Sequence, residues 1–327
     1  MSDVPETAAE TKDALTVLRE AAGADGWFRD LGVRHHALYR PGGETLLVEF
    51  EGLATIEGRA GGLPWSSGLA RKRGWSTLTV MAKGRTWYRD KAVFAFFDDL
   101  TDDGFFDGFE SVIFVGAGIG GYAAAAFSVA APGATVFLIS PLATLDPDIV
   151  PWEARFRTDR AVSFGPRYGY APDMLDAADK VFVLSDPTET ADAMHASLFR
   201  APHVMQLRAR HGGQRLRARL EAMGILDRLV AGAEAGALTQ LRWAQLWRAR
   251  HRDEVWLTGV MRKLDGMKRP WLQAIFSGAV LDATGSDPAR RRLNDALSQL
   301  RDQGREAPAG RRPAPPQTRD RMLLAGE

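Results

Sequence analysis

The chain has 327 residues, 45% of them hydrophobic and 25% charged, which is the composition of a globular protein and excludes disordered, collagenous or coiled-coil character for the whole. Lys and Arg number 42 against 41 Asp and Glu, so a net charge of +1 provides no global field for nucleic acid or an anionic membrane. Cysteine is absent, which removes disulfides, Cys-ligated zinc, iron–sulfur clusters and thiolate nucleophiles.

Residues 1–11 read as a loose polar tail, with neither the basic start nor the apolar stretch of a signal peptide. No segment reaches the roughly 20 apolar residues that span a bilayer, so the expected location is the cytoplasm, with no membrane partner. Residues 12–31 carry apolar points suited to a helix. Thr45–Phe50 (TLLVEF) and Ser76–Met81 (STLTVM) are short β-type runs. Residues 91–109 mix aromatics and acids as a helix and a short loop. Val112–Val115 (VIFV) is a buried-type strand that runs through glycines into an Ala-rich helix, 121–130, stopped by Pro132 and Gly133. Thr135–Ile139 (TVFLI), Val181–Leu184 (VFVL) and His203–Leu207 (HVMQL) are further strands, with a helix near 189–199 between the last two. Short apolar runs alternating with helical lengths predict an α/β fold with a mostly parallel, doubly wound sheet. Residues 214–305 read as helices throughout, and 306–327 as a disordered tail. The expected organisation is an N-terminal tail and helix over 1–31, an α/β domain over 32–225, a helical domain over 226–304 and a tail over 305–327.

The most informative stretch is VIFVGAGIGGYAAAAFS, residues 112–128. Two chemistries use such a turn. Gly116, Gly118 and Gly121 satisfy G-x-G-x-x-G, in which backbone amides and a helix N-terminus cradle the pyrophosphate of a flavin or nicotinamide cofactor. The acid expected about 20 residues on is missing, because the next strand ends at Ser140-Pro141. The alternative is the nucleophile elbow, G-x-S-x-G, on a sharp strand-to-helix turn. Gly116 and Gly120 take the flanking places and Gly118 the central one. In that frame the acid and histidine follow in order, each just beyond a strand. Asp186 follows VFVL and His211 follows HVMQL.

VGAGIGGYAAAAFS resembles the elbow segment G-S-S-M-G-G-Y-A-A of a group of bacterial α/β-hydrolase-like proteins, and VFLISPLATLDPDIVPWEARF resembles that group's segment after the next strand. The resemblance spans roughly residues 45–215. It implies an α/β-hydrolase fold, with Asp186 as acid and His211 as base. Gly118 stands where the group has its serine.

Glycine has no atom to attack a carbonyl, so an acyl-enzyme cannot form at residue 118. The expected protein is a degenerate hydrolase, without cofactor or metal, that binds a small molecule or a protein. Its oxyanion or ligand donors are Ile119, Gly52 and the turn glycines Gly116, Gly120 and Gly121. The enzyme alternatives are an ester or acyl hydrolase in which Asp186-oriented His211 acts as general base without a covalent step, a nucleophile drawn from Ser66 or Ser67, and the oxidoreductase above. His35 and His36 read as structural, Asp146 and Asp148 as a solvated loop, and the arginines from Arg208 to Arg219 as a solvated helix face. Trp243 and Trp247, four apart, read as one packed helix face.

Overall fold

The computed structural model describes residues 14–165 and 167–309. The tail expected at 1–11, and the tail expected at 305–327 apart from residues 305–309, lie outside the described residues. Helix α1 (Ala14–Ala21) leads to strands β1 (Trp27–Leu31), β2 (His35–Arg40) and β3 (Gly43–Gly52). Helices α2 (Leu53–Glu57) and α3 (Ser66–Arg73) precede β4 (Trp75–Ala82), and α4 (Lys91–Asp102) precedes β5 (Ser111–Ala117). Then come α5 (Ile119–Phe127), β6 (Thr135–Ile139), β7 (Lys180–Ser185), α6 (Thr190–Ala196) and β8 (Val204–Arg208). Helices α7 (Leu216–Ala222), α8 (Leu226–Glu234), α9 (Gln240–Trp247), α10 (Glu254–Gly266), α11 (Pro270–Thr284) and α12 (Asp287–Asp302) complete the chain. The single helix expected over 12–31 is instead a short helix and a strand. Gly23, at φ +72°, ends α1, and Trp27-Phe28 are aromatic residues that suit a half-buried strand.

The strands form one sheet in the order β1-β2-β4-β3-β5-β6-β7-β8. Only the β1–β2 and β2–β4 pairs are antiparallel; from β4 to β8 every pair is parallel. This is the mostly parallel sheet of an α/β-hydrolase-like fold, followed by helices alone. Central strands covered on both faces need apolar residues at every position rather than at alternate ones. β6 accordingly buries all five residues of TVFLI, and β5 buries Ile113 to Gly116. Each such Val, Leu, Ile or Phe contributes roughly 1.5–3 kcal/mol on burial.

Helix α5 is buried from Gly120 to Phe127 and packs on β3, β5 and β6. Its alanines let it pack closely on the sheet, and at its C-terminal end an aromatic cluster joins it to β3 and α4. There Phe97 and Phe127 stack at 4.4 Å and Phe50 stacks on both. Tyr122, one turn into α5, donates its hydroxyl to the Tyr168 carbonyl at 2.5 Å and accepts from Arg89 at 2.8 Å. Burial raises its phenol to about 12, so it stays a donor.

The chain divides into two compact units, Met1–Leu246 and Trp247–Glu327. α8 belongs to the first and packs on β5 and β6. In the second, α11 and α12 pair around Ala274, Leu293, Ala296, Leu297 and Leu300. No described helix is long and apolar enough to cross a membrane.

Candidate functional site

The strand-to-helix turn after β5 takes its shape from its glycines. Gly118 sits at φ +56°, ψ −118°, a conformation that residues with a Cβ adopt only under strain. Its neighbours are glycine because the chain passes too close for anything larger. A Cβ on Gly116 would fall 2.0 Å from the Gly120 carbonyl oxygen, and one on Gly120 would fall 2.4 Å from the Phe50 carbonyl oxygen. One on Gly121 would meet Pro141 at 3.1 Å. At Gly118 itself a Cβ would meet nothing within 4 Å. The turn is thus closely packed at Gly116, Gly120 and Gly121 and open at Gly118. Nothing in this geometry favours the dinucleotide-binding reading.

A cavity of about 620 Å³ opens over this turn. Gly118, Ile119 and Gly120 form part of its wall, and Gly52, at the end of β3, forms another part. The first-turn amides of α5 have no intrahelical acceptor and carry the positive end of the helix dipole. Apolar surface comes from Phe50, Ile139, Leu142 and Phe156. Tyr88, beside it, has φ +56°, and burial raises its phenol far above the usual range.

Neither Asp186 nor His211 is among the residues lining this cavity. Asp186 is fully buried, and its carboxylate accepts from the Thr188 amide and hydroxyl, both at 2.8 Å, from the His211 amide at 3.0 Å and from the Gly213 amide at 2.8 Å. It therefore holds the loop after β8 by its main chain. The His211 imidazole Nδ1 stands 3.4 Å from the Thr188 hydroxyl, and the residue itself takes φ +62°. Ser66 lies beside Glu49, which accepts from the Ser66 amide at 3.0 Å, and neither Ser66 nor Ser67 lines the cavity over Gly118. Asp146 accepts from the Asp148 amide at 2.9 Å in a tight turn, and no metal-binding group of His, Asp or Glu occurs among the described residues. His35 and His36 are held by Thr86 at 2.6 Å and Asp30 at 2.7 Å, and burial lowers His35 to about 4.

One wall of the cavity is an ion cluster that no sequence motif announces. Glu49 and Glu51 project from the same face of β3, because side chains two apart on a strand share a face. Arg217 of α7 donates to both, at 2.9 and 2.7 Å, and reaches Glu221 at 3.0 Å. Arg59 forks onto both Glu51 oxygens, at 2.8 and 3.1 Å. Arg217, read from the sequence as part of a solvated helix face, is instead largely buried, because two carboxylates beneath it need its charge. Three carboxylates face two guanidiniums, and burial together with the neighbouring Glu51 pushes Glu49 up to about 7. Opposite, Arg155 pairs with Glu153 at 2.6 Å and Asp192 at 2.5 Å. His195 bonds Glu153 at 3.0 Å through Nε2 and accepts from the Ala143 amide through Nδ1. Both ring nitrogens are thereby used, and burial lowers its pKa, so it is a neutral structural histidine.

No protein-family model and no curated protein sequence matches the chain. Among solved structures, the esterase domain of a Rhodothermus marinus protein is similar at 16% identity and a TM-score of 0.41, over 61% of this chain and 92% of that one. Est1E from Butyrivibrio proteoclasticus is similar at 12% identity and a TM-score of 0.41, over 66% and 98%. The Staphylococcus aureus fluorophosphonate-binding serine hydrolase FphF is similar at 10% identity and a TM-score of 0.40, over 62% and 98%.

Proposed function

We propose that this chain is a degenerate α/β-hydrolase-fold protein, and that the cavity over Gly118 binds a small molecule without forming a covalent intermediate on the protein. The observation that carries this reading is the elbow itself: the strained backbone and its close-packed glycine flanks are kept, while the side chain that attacks is missing. Loss of a triad nucleophile costs about 10⁶-fold in turnover, so a cavity retained beside Gly118 is retained for binding. The alternative in which His211 acts as general base draws no support from the cavity wall, to which neither His211 nor Asp186 contributes.

The test is turnover of activated esters together with fluorophosphonate labelling, in the natural protein and in Gly118→Ser. The natural protein should show neither labelling nor saturable hydrolysis. Saturable ester hydrolysis by the natural protein that disappears in His211→Ala would replace the binding reading with a hydrolase. Labelling of Gly118→Ser at the new hydroxyl would show in addition that a base still reaches this seat.

A further inference from the structure

Of the five arginines in the cavity wall, four are matched by acids. Arg59 and Arg217 are spent on Glu49, Glu51 and Glu221, Arg155 on Glu153 and Asp192, and Arg85 lies 3.1 Å from Asp159. Arg215, which precedes α7, lines the same cavity, and among the described residues no acid lies within ion-pair distance of it. The other four arginines face six carboxylates between them, so Arg215, exposed at the rim, is the one guanidinium of the wall not already held by an acid.

Ser140 is the second observation. β5 and β6 run in register with Ala117 opposite Ile139, and the Gly118 amide donates to the Ile139 carbonyl at 3.0 Å. Ser140 thus follows β6 directly beside the position of the missing elbow hydroxyl, and it lines the same cavity. Only 8% of the residue is exposed, and its Oγ has no hydrogen-bond partner. A buried hydroxyl left unpaired costs about 1–3 kcal/mol. Ser140 also takes φ +44°, a conformation that costs about 1–2 kcal/mol in a residue with a Cβ. Both costs fall on one residue, and a ligand oxygen at that point would offset the first.

We infer that the cavity takes a small carboxylate with a short apolar chain, its carboxylate seated beside Gly118 against the Ser140 hydroxyl and the first-turn amides of α5, with Arg215 supplying the unmatched charge. The inference rests on the binding role proposed above. A single guanidinium without an acid partner, in a wall where six carboxylates face the other four arginines, suits a monoanion better than a phosphate dianion. Ile119, Leu142 and Phe156 supply apolar surface for the chain. The space left by the absent serine side chain is where one carboxylate oxygen fits.

The test is calorimetric titration of the full-length protein with hexanoate and with methyl hexanoate, the uncharged counterpart. Hexanoate should bind at least 10-fold more tightly than the ester. Ser140→Ala and Ser140→Gly should each weaken hexanoate about 10-fold or more, the loss of one hydrogen bond to a charged group, without changing the near-ultraviolet circular dichroism. The glycine variant relieves the backbone strain, so a loss common to both variants belongs to the hydroxyl. Arg215→Gln should weaken hexanoate and flatten its dependence on salt. Equal binding of acid and ester, or undiminished hexanoate binding by both Ser140 variants, would overturn the inference. If Ala218→Trp, which fills the cavity from α7, still abolishes that binding, the binding role stands without it. Absence of binding by either compound overturns the carboxylate assignment, while the ester and labelling assay still decides the role of the elbow.

Discussion

Replacing Glu49 by Gln tests the charge count of the ion cluster directly. Glu49 is 1% exposed and faces Glu51 on its own strand, Arg217 and through it Glu221 on α7, and the Ser66 amide on α3. With Glu49 ionised the cluster holds three negative and two positive charges; with Glu49 protonated it is neutral. Its ordinary value of 4.5 is raised to about 7 in the fold. A raised acid makes the native state bind the proton more tightly than the unfolded chain. Its contribution to stability is therefore complete below pH 4.5 and is lost as pH rises to about 7. At about 1.4 kcal/mol for each pH unit, that window is worth about 3 kcal/mol. Glutamine stays neutral at every pH, so the variant should gain on the natural protein by this amount between pH 4.5 and 8. A pH-independent offset of about 1 kcal/mol is expected, because the Gln amide carries two N–H donors where protonated Glu49 carries one O–H. The assay is urea unfolding followed by near-ultraviolet circular dichroism, with both proteins at each pH so that other titrations cancel. Parallel curves for the two proteins would refute the reasoning, since they would mean that the cluster holds no proton.

The elbow glycines separate by what their Cβ would meet. Gly116→Ala should cost more than about 3 kcal/mol, because backbone lies 2.0 Å from the new carbon, whereas Gly118→Ala should cost only the strain of positive φ, about 1–2 kcal/mol, both read by urea unfolding. Asp186→Ala strips an acceptor from two main-chain amides and the Thr188 pair at once. It should destabilise by about 3 kcal/mol or more and speed amide exchange at His211 and Gly213 before it affects β7. Asp90 caps α4 by accepting from the Ala92 amide at 3.0 Å, and Asp90→Ala should cost about 1 kcal/mol in the same unfolding assay.

The sheet was legible in the sequence because buried strands write themselves as short runs dominated by apolar and β-branched residues. TLLVEF, STLTVM, VIFV, TVFLI, VFVL and HVMQL each fall on a strand of the fold. The helix expected over 12–31 was not, because a short amphipathic helix and a half-buried edge strand share enough apolar points to pass for one longer helix. At the site, the turn was legible because glycine spacing reports backbone crowding, which is local. The walls were not, because they join residues far apart in the chain. Glu49 and Glu51 did leave a signal, two acids on one face of a strand otherwise buried, which calls for a cationic partner from elsewhere. That partner, Arg217, sits among arginines spaced like a solvated face, and only the packing of α7 over β3 distinguishes it from Arg215 two residues earlier. One guanidinium is consumed by the protein and the other is left to the cavity. Ser140 was hidden more completely, since a serine before a proline reads as a strand end, and its hydroxyl's lack of a hydrogen-bond partner exists only once β6 is placed beside the turn. The two residues that most sharply define what this cavity can hold are therefore ones whose meaning lies in partners they lack, and an unmet requirement of that kind cannot be read until the fold has assigned all the others.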